Sequence, residues 1–293
     1  MAGDPRWGGL ARRGAARLDE GGSGASATWR EQMARAREDR DGAHDPRWTD
    51  EWVRVDEVRD EASSAVARGR RPDRGSADRD DRSVDDVEAE VRAELAKAVS
   101  SARAPRLEQR LRDATRAFSA ERYTDAARIL SKLTSEAPSV AAARELYGLT
   151  LYRQGKWRAA AVQLEAFRAL TGSTEQHPVL ADCYRALGRD AEVDALWDEL
   201  RQSSPGAELV VEGRIVVAGM RADRGDLQGA IRLLEQGWRM PKHPREHHLR
   251  RGYALADLYE RAGDLSRARE LFGRLARIAP DFADVVARTR ALG

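Results

Sequence analysis

Few residues in this 293-residue chain have the types and spacing that chemistry requires. Three of its five histidines, His243, His247 and His248, lie within PKHPREHHLR, and His243 and His247 stand four apart, the spacing of a metal patch. Pro241 and Pro244 instead predict an extended loop there, and no nearby cysteine completes a zinc set. Cys183 is the only cysteine, which excludes an intrachain disulfide. It stands beside Tyr184 with no histidine or other base near it, so it reads as a small buried apolar residue and not as a nucleophile. The acid pairs Asp80-Asp81 and Asp85-Asp86 read as solvated tail or helix-cap charges. The chain carries no Gly-rich phosphate loop, no Gly-x-Ser-x-Gly elbow and no paired-cysteine spacing. The expectation is a protein with no catalytic residue, no metal ligand and no cofactor.

Composition narrows the classes further. A formal net charge of +2 gives no overall field that would draw the chain to nucleic acid or to an anionic membrane. No run approaches the ~18 apolar residues of a spanning helix, and the N-terminus lacks a secretory apolar stretch, so a cytoplasmic protein is expected. Charged residues at 34% and aromatics at 6% suit a thin, two-layer helical stack better than a deep globular core.

Residues 1–82 are rich in Arg, Asp, Gly and Ser and poor in branched aliphatics, so they bury too little apolar surface to offset the entropy of ordering, and a disordered tail is predicted. Its 17 arginines face 18 acidic residues, which makes it a polyampholyte and not a basic arm. Asp4-Pro5-Arg6-Trp7 recurs as Asp45-Pro46-Arg47-Trp48. Three readings stand: a duplicated partner motif anchored by Trp7 and Trp48, Trp-bearing segments that fold back on the rest of the chain, or a chance match in Arg- and Asp-rich sequence. A capping box at Ser83 followed by Val84, Val87, Val91 and Leu95 predicts a lead helix within 83–105, serving as an N-terminal cap. An amphipathic helix that dimerises the protein is the alternative.

From 106 to 280 the chain repeats itself. The best-formed copy runs from Gly252 to Pro280: Leu255, Ala256 and Tyr259 share one helical stripe, and Ala268, Leu271, Phe272 and Leu275 share the next. Gly263 separates the two, Asp264 caps the second, and Pro280 ends it. One small residue per second helix, at Ala126, Ala160, Val193, Ala230 and Ala268, gives steps of 34, 33, 37 and 38 residues. Turn residues keep the same step at Glu121, Gly155, Gly188, Gly225 and Gly263. Copy four is the weakest, with Arg221 and Gly237 at places that call for Tyr and an apolar residue, and a loosened stack is expected there. Residues 281–293 are predicted to form a closing cap helix, with Arg288 and Arg290 facing water.

This pattern resembles the tetratricopeptide repeat: Leu255, Tyr259, Ala268, Phe272 and Pro280 fall on its positions, although Gly252 stands where its leading aromatic belongs. With arginine favoured over lysine as in a GC-rich genome, an actinobacterial type is suggested. The resemblance implies an all-α solenoid of about five helix hairpins with N- and C-terminal caps. It further implies a non-enzymatic scaffold that holds a peptide or partner helix in the groove lined by first helices. The groove residues it implies are Leu111, Thr115 and Phe118; Glu145, Leu149 and Tyr152; Asp182 and Arg185; and Ile215, Tyr253, Asp257 and Glu260. No Lys-Arg-Asn carboxylate clamp is present among them, which disfavours a receptor for C-terminal tails. The alternative is a nucleic-acid- or ribosome-associated accessory protein that uses the Arg-rich tail, and the near-neutral charge of that tail opposes it.

Overall fold

The computed structural model describes residues 84–203 and 205–293, with side chains from Val91 onward. The expectations for residues 1–82, including Trp7, Trp48 and the disordered tail, lie outside the described residues. Every regular element among the described residues is an α-helix. These residues divide into two compact units, one ending at Leu187 and the other formed by Gly188–Gly293, and each is built of helix hairpins packed in sequence.

The first unit holds α1 (Val84–Ala98), α2 (Ala104–Ser119), α3 (Tyr123–Glu136), α4 (Ala141–Arg153), α5 (Trp157–Thr171) and α6 (His177–Ala186). Here α1 is the expected lead helix. Its Val91 and Leu95 are buried in a core with Leu107 and Leu111 of α2 and Leu130 and Leu133 of α3. Pro105 sits in the first turn of α2, where a missing N–H costs nothing. The pairs α2/α3 and α4/α5 are hairpins, α3 packs on α4, and α5 on α6.

The second unit holds α7 (Asp190–Gln202), α8 (Ala207–Asp223), α9 (Leu227–Glu235), α10 (Glu246–Arg261), α11 (Leu265–Ile278) and α12 (Val285–Ala291). The hairpins are α8/α9 and α10/α11, with α7 packed on α8 and α12 on α11. The two helices of the third copy, α6 and α7, thus fall in different units.

The periodic small residues do steric work. Ala126, Ala160, Val193, Ala230 and Ala268 are all fully buried, and twelve residues before each stands another buried small residue, at Ala114, Gly148, Ala181, Ala218 and Ala256. At Gly148 the fit is tight: a Cβ there would lie 2.6 Å from the Leu164 side chain of α5. The turn residues all take positive φ, Gly155, Gly188, Gly225 and Gly263 between 69° and 87°, and Glu121 at 59°. At four of these turns the following N–H reaches back to the carbonyl five residues earlier, as in Arg122 to Ala117 and Asp264 to Tyr259. That bond closes the helix end only if the intervening residue is left-handed, which glycine tolerates and Glu121 does not favour.

Copy four departs from the pattern at its second helix. Its second helix, α9, has nine residues where α11 has fourteen, and Gly237 comes after it at φ 68°. The carbonyls left open at its end are taken by arginines. Arg251 donates to Leu234 O at 2.7 Å and to Gln236 O at 2.6 Å, and Arg214 donates to Gln236 O at 2.8 Å. Trp238, just beyond, lays its ring against Gly252, 3.1 Å from where a Cβ would sit. The aromatic missing at Gly252 is therefore supplied in space by another stretch of chain. His247 and His248 correct the loop expectation, since α10 begins at Glu246 and both lie in its first turn.

Candidate functional site

First helices of successive copies touch one another: α2 meets α4, α4 meets α6, and α8 meets α10. Their shared side is where the expected groove residues lie, and burial divides those residues into two groups. Leu111, Thr115, Phe118 and Leu149 are all under 9% exposed. The Thr115 hydroxyl donates to Leu111 O within its own helix, and Phe118 meets Tyr123 edge-on at 5.5 Å. These four are packing residues and do not line an open wall. The reason is local: α1, α3 and α4 all pack on α2, so copy one keeps no uncovered apolar stripe.

The remaining candidates of the first unit come together on one face. Tyr152 donates to Asp182 Oδ2 at 2.7 Å, and Arg185 Nη1 lies 3.4 Å from Asp182 Oδ1. Two turns back along α4, Glu145 accepts from Gln176 Nε2 at 2.7 Å. Tyr152 and Glu145 are seven residues apart on a helix and so share a side. Burial, then the Asp182 charge, pushes the Tyr152 phenol well above its ordinary range, so it is a fixed hydrogen-bond donor. Cys183 is buried, and burial followed by Asp182 pushes its thiol upward, which removes the thiolate a nucleophile would need.

In the second unit Ile215 packs against the apolar core, while Tyr253, Asp257 and Glu260 of α10 meet the cap segment that includes α12. Tyr253 donates to Asp284 Oδ1 at 2.6 Å and meets Phe272 edge-on at 5.5 Å. Arg288 donates to Asp257 Oδ1 at 2.8 Å and to Glu260 Oε2 at 2.6 Å, with its guanidinium 4.8 Å from the Phe272 ring centre. Burial works against the Arg288 charge, but the hydrogen bonds to Asp257 and Glu260 outweigh it and raise the pKa. Arg288 therefore does not face water as expected, whereas Arg290 is exposed. A signal for this existed in the spacing. Tyr253 to Asp284 and Asp257 to Arg288 are both 31 residues, as is Glu145 to Gln176, so α12 stands to copy five as the next first helix would.

His247 and His248 belong to the start of α10. His248 Nδ1 accepts from the Arg245 N–H at 3.2 Å, and His247 Nδ1 lies 3.6 Å from Glu208. Burial, then the neighbouring His248, lowers the His247 pKa against a smaller opposing pull from Glu208. No cluster of three metal-ligating side chains occurs among the described residues, and no helix among them is long and apolar enough to cross a membrane.

Residues 221–291, from the end of α8 through α12, match the family model of the tetratricopeptide repeat. The chain thus contains the repeat that its residue pattern predicted. No curated protein matches it. Among solved structures it is similar to a thermophilic TPR protein of Thermus thermophilus, at 20% identity and TM-score 0.49 over 64% of this chain and 98% of that one. It is also similar to the apo form of the quorum sensor NprR from B. thuringiensis, at 14% identity and TM-score 0.37 over 83% of this chain and 80% of that one.

Proposed function

We propose that this protein is a non-enzymatic interaction scaffold that holds an extended peptide or a helix of a partner protein against its first helices, in the cytoplasm. The observation that carries this reading is the face of the first unit on which Glu145, Tyr152, Asp182 and Arg185 converge from α4 and α6. It presents the partly exposed carboxylates of Glu145 and Asp182 beside the Tyr152 ring, with the buried Arg185 bracing Asp182 from within, a mixture that suits recognition of a peptide with both polar and apolar groups. These residues sit on helices held by a packed core, so the face is pre-organised and loses little entropy on binding. In contrast, Tyr253, Asp257 and Glu260 are engaged by the protein's own cap segment.

The test places a photo-crosslinking amino acid at Glu145 and, as a control, at Arg128, whose side chain is 72% exposed on the second helix α3. The expected result is a discrete partner captured at Glu145 and not at Arg128. Equal capture at both sites, or none at Glu145, removes the proposed role of this face.

A further inference from the structure

A second surface, separate from the first-helix face, lies on the second unit around the short α9. Between Arg239 and Arg251 the chain has five basic residues and one acid, Glu246. Arg239, Lys242 and Arg245 are available there, and Arg274 of α11 joins them by donating to Met240 O at 3.3 Å. Beneath lie Arg214 and Arg251, both turned onto the single carbonyl of Gln236. Crowding weakens the hold of both on their protons: burial, then Arg214, brings Arg251 down to about 10, and burial, then Arg201, lowers Arg214. The buried Nε of Arg214 has no hydrogen-bond partner among the described residues. Glu208, 3.9 Å from Arg245, Glu212, 2.9 Å from Arg250, and Glu246 offset this charge in part, leaving Arg239, Lys242 and Arg274 outside these pairs. Trp238, half-buried, stacks near Arg251 at 5.5 Å and gives the basic surface an apolar border.

We infer that this basic face, formed by Arg214, Arg239, Lys242, Arg245 and Arg274, docks the acidic segment 45–62 of the same chain. That segment carries seven acidic residues against three arginines, together with Trp48 and Trp52. Its net charge of −4 is opposite in sign to the exposed members of the face, Arg239, Lys242, Arg245 and Arg274. The two Asp-Pro-Arg-Trp motifs differ in the residues C-terminal to them: after Trp7 come Arg12, Arg13 and Arg17, whereas after Trp48 come Asp50, Glu51, Asp56 and Glu57. Only the second motif complements the face. Its tryptophans supply rings on which exposed guanidiniums stack, an attraction that adds to the charge pairing.

The full-length chain tests this directly. In a Cys183→Ala background, cysteines at Ala62→Cys and His243→Cys are joined by a short bis-maleimide. The expected product is an intrachain link that forms about tenfold more slowly at 1 M salt, where charges more than ~3 Å apart are screened. It slows similarly in the Lys242→Glu/Arg245→Glu variant and recovers when Asp56→Lys and Glu57→Lys are added. Amide exchange over residues 236–251 gives a second readout with the native Cys183 kept, and it should quicken when Asp56, Glu57, Asp60 and Glu61 are neutralised. The inference is overturned by links only between molecules, by an equally fast link from a cysteine at Leu18→Cys after the first motif, or by rates indifferent to salt. Unchanged exchange in the neutralised chain overturns it as well, and so does single-stranded nucleic acid protecting the same amides as well as the segment does.

Discussion

Replacing Arg288 with methionine keeps most of the side-chain volume over Phe272 but takes the nearest cation from the carboxylates of Asp257 and Glu260, leaving Arg261 4.0 Å from Asp257. Removing one partner of a fully buried charge cluster costs roughly 3–5 kcal/mol, because the charges left behind are desolvated without compensation. This cluster is not fully buried: Arg288 is 12% exposed, Asp257 24% and Glu260 33%, so water repays part of the loss. Three hydrogen bonds from Arg288 to the two carboxylates are lost together. The expected cost is therefore about 2–3 kcal/mol, concentrated in the second unit. Arg288→Lys should recover only part of it, since an ammonium keeps the charge but not the planar fork that reaches both acids. Arg290→Met, exposed on the same helix, should change stability by no more than about 0.5 kcal/mol. Amide exchange in α10 and α12 reads this unit by itself, with urea denaturation as the global measure. Should Arg288→Met and Arg290→Met behave alike, with exchange in α10 unchanged, the clamp would not be what seats the cap, and the view of α12 as a substitute first helix would fall.

Three further outcomes are expected. Gly148→Ala forces a methyl to within 2.6 Å of Leu164 and should lower the stability read from urea denaturation by about 1–3 kcal/mol with an unchanged m-value; a neutral result would mean that α4 and α5 are looser than their packing indicates. Glu121→Gly relieves a left-handed residue at φ 59° and should stabilise the first unit by about 0.5–1 kcal/mol, whereas Gly155→Ala, at φ 71°, should destabilise it, both read by thermal melting. For His247 the folded pKa lies below the ordinary 6.5, so its contribution is present above that value and is lost as pH falls and the unfolded chain binds the extra proton. Glu208, Arg245 and His248 face the ring and set that direction together with burial. Chemical denaturation at pH 7 and pH 5 should show a larger acid loss for the native chain than for His247→Gln, and equal losses would remove His247 as the cause.

What the sequence revealed is what close packing imposes locally. The steps among Ala126, Ala160, Ala230 and Ala268 were readable because two helices can approach closely only where side chains are small, and the hairpins α2/α3, α4/α5, α8/α9 and α10/α11 meet that demand in the same place. The left-handed turn at Glu121 matches its register with four glycines. Burial on the first helices was less readable. Leu111, Thr115, Phe118 and Leu149 occupy positions that are open in a repeat with no extra cover, and only the packing of neighbouring helices, α1 over α2 among them, closes them. Trp238 was invisible as the partner of Gly252 because the contact joins a loop to the following helix, a pairing that no period describes. Arg251 carries no sequence signal for a similar reason: its role depends on α9 stopping early and leaving the Leu234 and Gln236 carbonyls open.

The cap helix has a consequence for where a partner can bind. A first helix presents its polar groups to the next first helix along, and in the second unit that position is taken by α12 and the residue before it, whose Arg288 and Asp284 saturate Tyr253, Asp257 and Glu260. A ligand competing there would have to displace a largely buried guanidinium bound to two carboxylates, forfeiting the same ~2–3 kcal/mol that the Arg288 substitution measures. Between α4 and α6, Asp182 is likewise engaged, by Tyr152 and by an Arg185 side chain only 7% exposed, so a ligand there would meet this group through the partly exposed Glu145 and Asp182. If peptide binding tracks substitutions at Glu145 and is indifferent to Arg288→Met, the closed end is a structural stop and the first unit carries the recognition. If Arg288→Met instead strengthens binding, the cap is a competitor that the partner must displace, and α10 of the second unit also takes part in recognition.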